Sequence, residues 1–245
     1  MAPRPLRAVL FDWDGTLADT AEASYRCYVR MFADHGIPFD RDAYRRTYSP
    51  NWYHTFRCVG LPEESWADAD ERWLRYFAEE TVALIDGARE AIEALARRGV
   101  TRAIVTSGSR PRIERELVAH GLSFAEVVCG TDTERKKPHP DPLHLALGRL
   151  GVAPSEAAYV GDSPEDVMMA KAANVYAVAV PGAYPNREAL AAAGADVIAE
   201  DLGEAVEALT GGAGTAPGQP AGRRRALTPS PSACETAAPP AWRRR

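Results

Sequence analysis

The sequence predicts an α/β fold, a parallel sheet covered by helices on both faces, with a block of helices inserted after the first strand. Two observations carry this prediction. Short β-branched runs bounded by Gly, Pro, Asp or Ser alternate with helical patterns along most of the chain. That alternation implies parallel strands joined by helical crossovers. One long stretch, residues 18–84, breaks the alternation and shows no convincing strand.

The first strand is Arg7–Phe11 (RAVLF). The others are Thr101–Thr106, Glu126–Cys129, Ala157–Val160, Val175–Val180 and Asp196–Ala199. Between them lie helical segments such as Arg89–Arg98, closed by Gly99, and Pro142–Leu150, closed by Gly151. Residues 18–84 read as three or four helices rich in aromatics and Arg. Tyr25, Tyr28 and Phe32 recur at helical spacing, as do Trp66, Trp73 and Phe77. Such a segment is too long for a crossover between neighbouring strands. The domain organisation expected is therefore 1–17 with 85–210 as the α/β core, 18–84 as a helical insertion, and 211–245 as a tail. The tail is dominated by Pro, Gly, Ala and Ser and reads as disordered.

Composition bounds the function. The chain has 245 residues, 46% apolar and 26% charged, which excludes disorder throughout, a collagen-like chain and a disulfide scaffold. The net charge of −5 argues against a strongly basic nucleic-acid binder. It divides unevenly: the tail, with six Arg and one Glu, carries +5 and the remainder −10. That basic tail is the one hint of an anionic partner such as RNA. Cys27, Cys58, Cys129 and Cys234 show no zinc or redox spacing. With no apolar run of signal-peptide or membrane-span length, a cytoplasmic, non-membrane protein is expected. Only three Lys stand among 29 basic residues, so each is worth inspecting.

The chemistry gathers at strand ends. The first strand runs into Asp12-Trp13-Asp14-Gly15-Thr16. Residues i and i+2 of an extended segment share a side, so Asp12 and Asp14 both face the crevice where open α/β sheets bind ligands. Two carboxylates there repel unless a cation or a proton intervenes. Gly15 permits a tight turn whose backbone N–H groups suit an anion; the plain alternative is an ordinary Asp-Gly turn. Thr106 ends the second strand, where a hydroxyl can hold a phosphoryl oxygen. Lys136-Lys137-Pro138 contains two of the three lysines. The fourth strand leads into Gly161-Asp162-Ser163-Pro164-Glu165-Asp166. An N-cap Ser163, a Pro164 at the first helical position and acids in the first turn explain most of that segment, but not Gly161-Asp162.

These four motifs, DWDGT at 12–16, Thr106 closing an apolar strand, Lys137 in KKPHPD and GDSPED at 161–166, resemble the haloacid dehalogenase superfamily of phosphotransferases. The similarity spans roughly residues 6–209, and the helical insertion resembles the cap of its phosphoglycolate phosphatase-like branch. The resemblance implies a Rossmann-like parallel sheet core with an inserted helical cap. It implies a phosphoric monoester hydrolase using Mg²⁺, with Asp12 as nucleophile, Asp14 as general acid and base, Thr106 orienting the phosphoryl group and Lys137 neutralising charge. The implied phosphate-binding set is Trp13, Gly15, Thr106, Ser107 and Lys137. The implied metal set is Asp12, the carbonyl of Asp14, Asp162 and, in support, Asp166.

The same resemblance orders the alternatives. True dehalogenases lack the second acid, here Asp14. Sugar-phosphate mutases carry a His at the position of Ser24 and a cap Lys, whereas residues 18–84 contain no Lys; phosphonoacetaldehyde hydrolases also need that Lys. A non-catalytic binding module would be expected to lose one of the acids. The reading is thus a phosphatase of a small phosphorylated metabolite. In Tyr48–Cys58, Asn51, His54 and Arg57 share a helical face and are the candidate specificity residues.

Overall fold

The computed structural model describes residues 2–3, 5–49, 51–183 and 186–211. Apart from Gly211, the tail lies outside them. The core is a six-stranded, all-parallel sheet of β1 (Ala8–Phe11), β4 (Thr101–Val105), β5 (Glu126–Val128), β6 (Ala157–Gly161), β7 (Tyr176–Ala179) and β8 (Val197–Ile198), in the order β5-β4-β1-β6-β7-β8. The first strand in sequence thus lies inside the sheet, with Phe11 in register with Ile104 and Val160.

The apolar runs are continuous because both faces are covered. Val9 and Phe11 point into one cluster with α5 (Ala88–Arg97), α6 (Arg110–His120) and α10 (Leu202–Thr210). Ala8 and Leu10 point into the other, with α7 (Asp141–Leu150) and α8 (Pro164–Ala172). The period-2 alternation of strands sends successive residues to opposite sides. A short α9 (Arg187–Ala192) precedes β8.

Residues 18–84 form α1 (Ala21–Asp34), α2 (Arg41–Thr47), α3 (Trp52–Val59) and α4 (Trp66–Phe77). The sequence reading missed two strands here. β2 (Ala18–Asp19) and β3 (Ala83–Leu84) pair antiparallel at the two ends of the insertion. Two residues are too few to show any period, which is why they were illegible. The insertion has its own aromatic core, in which Phe32 packs on Phe39 with centroids 4.6 Å apart and edge-on to Phe56. α1 and α4 pack on each other, so the Tyr28 and Trp73 stripes meet at 6.0 Å.

Candidate active site

Four adjacent loops at the carboxyl ends of the strands build the site. Asp12 directly follows β1, Thr106 follows β4, Asp162 follows β6, and Lys137 lies on the segment after β5. Parallel pairing alone brings these residues, up to 150 positions apart, to one edge of the sheet.

Lys137 is buried and lies between two carboxylates. Its Nζ is 2.7 Å from Asp12 Oδ1 and 2.7 Å from Asp166 Oδ1. Burial disfavours its charge, but Asp12 and Asp166 outweigh burial and hold its pKa above the usual lysine value. Burial pushes Asp12 up to about 7, opposed by Lys137 and reinforced by Asp166 and Asp14. Asp162 is pushed well above the usual carboxylate range by burial and then by Asp166 and Asp12, against the pull of Lys137. One ammonium therefore does not balance these acids. Oxygens of Asp12, Asp162 and Asp166 come within 4.8 Å of one another, an acidic triad that could hold a metal ion.

Asp166 is largely committed within the protein. Its Oδ1 also accepts from the Tyr159 hydroxyl (3.1 Å), and its Oδ2 accepts from Ser163 N and Oγ (3.1 and 2.7 Å). The reciprocal bond from Asp166 N to Ser163 Oγ completes a capping box at the start of α8. The plain helix-start reading of Ser163, Pro164 and Asp166 thus describes this segment. Asp162 is held differently: Asn186 Nδ2 donates to its carbonyl at 2.6 Å. Gly15 has φ +81°, and a Cβ there would fall on the Asp162 carboxylate.

That geometry corrects one expectation. The Gly15 N–H donates to the Ala18 carbonyl at 2.9 Å, so it is not a free anion donor. Gly15 instead makes the turn and leaves room for Asp162. The indole of Trp13 is fully buried and its Nε1 donates to Glu116 Oε2 at 2.6 Å, so only the backbone N–H of Trp13 is left for an anion. Thr106 and Ser107 do line the cavity, and Thr106 Oγ1 accepts from Gly108 N at 3.0 Å.

Sequence reasoning did not find Arg112. From α6 it forks onto Asp14, Nη1 to Oδ1 at 2.9 Å and Nη2 to Oδ2 at 2.5 Å. It also faces Glu116 at 3.3 Å and lies over the Phe77 ring at 4.9 Å. The chain of contacts Asp14–Arg112–Glu116–Trp13 ties the second acid of the DWDGT motif to its own neighbour. Arg112 and Glu116 are four apart on a helix, a spacing that reads as a surface pair until burial is known.

Above the acids is a cavity of ≈ 280 Å³ walled by both parts of the chain. The core contributes Asp12, Asp14, Thr106, Ser107, Arg112, Lys136, Lys137 and Asp162, and the insertion contributes Ser24, Tyr28, Tyr48, Trp52, Tyr53, Phe56, Asp70 and Trp73, among others. Lys136 Nζ lies over the Trp52 ring at 4.5 Å, and Ser49 Oγ donates to Glu165 at 3.1 Å, so core and insertion touch across the cavity rim.

The candidate specificity residues need correction. Asn51, His54 and Arg57 are absent from the cavity wall. His54 and Arg57 lie on the exposed face of α3, where Arg57 covers the Trp66 ring at 4.9 Å, and Asn51 is half-buried at the helix N-cap. The apolar face of α3, with Trp52, Tyr53 and Phe56, turns inward instead, as burial of the more apolar face favours.

Residues 9–180 match the haloacid dehalogenase-like hydrolase family. The chain belongs to that family. It is 29% identical over 218 residues to a phosphoglycolate phosphatase of Yersinia pestis, covering 84% of this chain and 94% of that one. It is 33% identical over 214 residues to the pyrophosphatase PpaX of Bacillus velezensis, covering 83% and 96%. The crystal structure of CbbY from Rhodobacter sphaeroides in complex with phosphate superposes with a TM-score of 0.72 at 31% identity, over 81% of this chain and 96% of that one. The protein is a phosphatase of this haloacid dehalogenase-like family, a hydrolase of phosphate esters. No helix among the described residues is long and apolar enough to cross a membrane.

Proposed function

We propose that the protein hydrolyses a small organic phosphate monoester through an aspartyl-phosphate on Asp12, with Mg²⁺ as its cation. The observation that carries this reading is the buried Lys137 bridge between Asp12 and Asp166, set beside an acid cluster with more negative charge than one lysine balances. Asp12, Asp162 and the Asp14 carbonyl would hold the ion, with Asp166 fixing Lys137 and the loop. A bound Mg²⁺ neutralises the carboxylates and the phosphoryl oxygens, so that one anion can approach another.

This chain's own groups do the rest. Lys137 holds Asp12 Oδ1 and leaves the other oxygen to attack phosphorus. The P–O ester bond breaks as the Asp12–phosphorus bond forms, and Asp14 gives its proton to the leaving oxygen. Asp14 then takes a proton from water, which attacks phosphorus and returns Asp12 as carboxylate with release of phosphate. Thr106 and Ser107 line the cavity where the phosphoryl oxygens would lie. Ser24, at the position where the mutases resembled here carry a His, lines the cavity with a hydroxyl that titrates at neither step, which favours hydrolysis over transfer. The helices of residues 18–84 act as the cap and residues 1–17 with 85–210 as the core, the site lying between them.

The test is phosphate release from p-nitrophenyl phosphate. Release with Mg²⁺, abolished by EDTA and by Asp12→Asn, supports the reading. Full release by the Asp12→Asn protein would refute it.

A further inference from the structure

Beyond the phosphoryl end, one charge in the cavity wall has no counter-ion. Among the described residues three cations line the cavity. Lys137 is paired with Asp12 and Asp166, and Arg112 with Asp14 and Glu116. Lys136, on the core segment after β5, makes no ion pair among the described residues. Its Nζ lies over the Trp52 and Tyr53 rings of the insertion, 4.5 and 5.6 Å from their centroids. An aromatic face steadies an ammonium without neutralising it. Asp70, also in the wall, favours the Lys136 charge without pairing with it, and its carboxylate accepts from the Tyr53 hydroxyl at 3.2 Å. Burial outweighs Asp70 and pulls the Lys136 pKa below the usual lysine value. A half-buried ammonium without a carboxylate partner is stabilised when a ligand brings an anion to it.

We infer that Lys136 is the specificity-determining residue of this cavity, where it holds an anionic group carried by the leaving alcohol. Selection of the leaving group is then made by the core, on the residue next to Lys137, and not by a polar side chain of the insertion. This inference rests on the phosphatase reading above and assigns a residue within it. The two adjacent lysines act at opposite sides of one cavity. Lys137 lies among the acids that receive the phosphoryl group, and Lys136 lies at the aromatic side. A substrate anchored by its phosphoryl group in a space of ≈ 280 Å³ presents its other end to Lys136. The rings of Trp52 and Tyr53 beside the ammonium limit its hydration, which strengthens its pull on an anion. An ammonium on the leaving group would meet Lys136 and be repelled. Asn51, His54 and Arg57 cannot make this selection, because they lie off the cavity wall.

The test is a charge series at nearly constant size, three two-carbon esters whose far end is anionic, neutral or cationic: phosphoglycolate, ethyl phosphate and phosphoethanolamine. In the wild-type protein kcat/KM should favour phosphoglycolate over ethyl phosphate about tenfold or more, the worth of one hydrogen bond to a charged group, with phosphoethanolamine last. Lys136→Met should bring the first ratio to within about threefold of unity, and Lys136→Arg should keep most of it. A ratio taken within one protein cancels any loss of folded or active enzyme, so a purely structural role for Lys136 would not move it. Arg57→Ala should leave the ratio as it is. Ethyl phosphate turned over as fast as phosphoglycolate overturns the inference, and so does an unchanged ratio in the Lys136→Met protein or a collapsed one in the Arg57→Ala protein. Turnover of p-nitrophenyl phosphate without a charge preference sinks this inference and leaves the phosphatase reading standing. Absence of p-nitrophenyl phosphate turnover sinks that reading. If the three esters are not turned over, calorimetric binding of phosphoglycolate and ethyl phosphate to the Asp12→Asn protein, with and without Lys136→Met, decides the Lys136 claim. Tighter phosphoglycolate binding that is lost with Lys136→Met supports it, and equal affinities or an unchanged difference overturn it.

Discussion

Arg112 grips both carboxylate oxygens of Asp14, at 2.9 and 2.5 Å, from a helix that starts 96 residues further along the chain. The guanidinium is itself fixed, by Glu116 on one side and by the Phe77 ring on the other. A planar fork on a carboxylate sets its rotation as well as its position, which a single ammonium cannot do. On the mechanism proposed above, the acid–base carboxyl of Asp14 would thus be aimed by a residue outside all four family motifs.

Arg112→Lys keeps the charge and loses the fork. Its kcat for acetyl phosphate should fall about tenfold with a smaller change in KM, because positioning rather than binding is lost. Arg112→Ala should in addition destabilise the fold by about 3 kcal/mol in urea titration, since buried Glu116 is left with only the Trp13 N–H and, at 3.9 Å, Arg115 to offset its charge.

Lys137→Met removes the charge between Asp12 and Asp166 while keeping most of the volume. Activity should drop about 10²–10³-fold, the cost of losing one preorganised charged donor. A steady-state assay that found less than a twofold loss would place the charge balance of the site elsewhere.

A cation that occupies the acid triad binds the folded chain alone, so it should raise the melting temperature. At a hundredfold excess over its dissociation constant the gain is about 2.7 kcal/mol. Differential scanning fluorimetry with and without MgCl₂ should show the rise, and Asp162→Asn should remove it.

Asp70 gives a pH signature away from the acid triad. Burial holds its carboxyl at about 6, against its Tyr53 hydrogen bond and Lys136. Between roughly pH 4 and 6 the folded chain keeps a proton that the unfolded chain, with a carboxyl near 3.9, has released. Stability therefore falls as pH rises through that window. The Asp70→Asn protein lacks this loss, so its stability relative to wild type should grow by about 1 kcal/mol from pH 4 to pH 7, a value discounted for partial exposure. Urea titrations at the two pH values read the difference directly.

What was legible in the sequence follows from local signals. The six sheet strands showed because residues such as Val9 and Leu10 are buried on opposite faces, which leaves uninterrupted apolar runs. Asp12, Thr106, Lys137 and Asp162 showed because the turns they occupy carry Gly or Pro beside them. Arg112 and Glu116 did not show. In a helix reading RPRIERELVAH, buried and exposed charges look alike until the tertiary contacts separate them. The segment Tyr48–Cys58 does wall the cavity, but through Trp52, Tyr53 and Phe56 rather than the polar Asn51, His54 and Arg57 that stand out in the sequence. Aromatics at helical spacing serve a core or a ligand equally well, and only the packing of α3 against the site tells them apart.

The central claim is that Asp12 carries the phosphoryl group. Rapid acid quench during turnover, followed by borohydride reduction and peptide mass spectrometry, reads this directly. An acyl phosphate on Asp12 would be reduced to homoserine at position 12, and the account predicts that product in the wild-type protein with substrate and Mg²⁺. Reduction at another carboxylate, or no reduced residue at any time during active turnover, would contradict it.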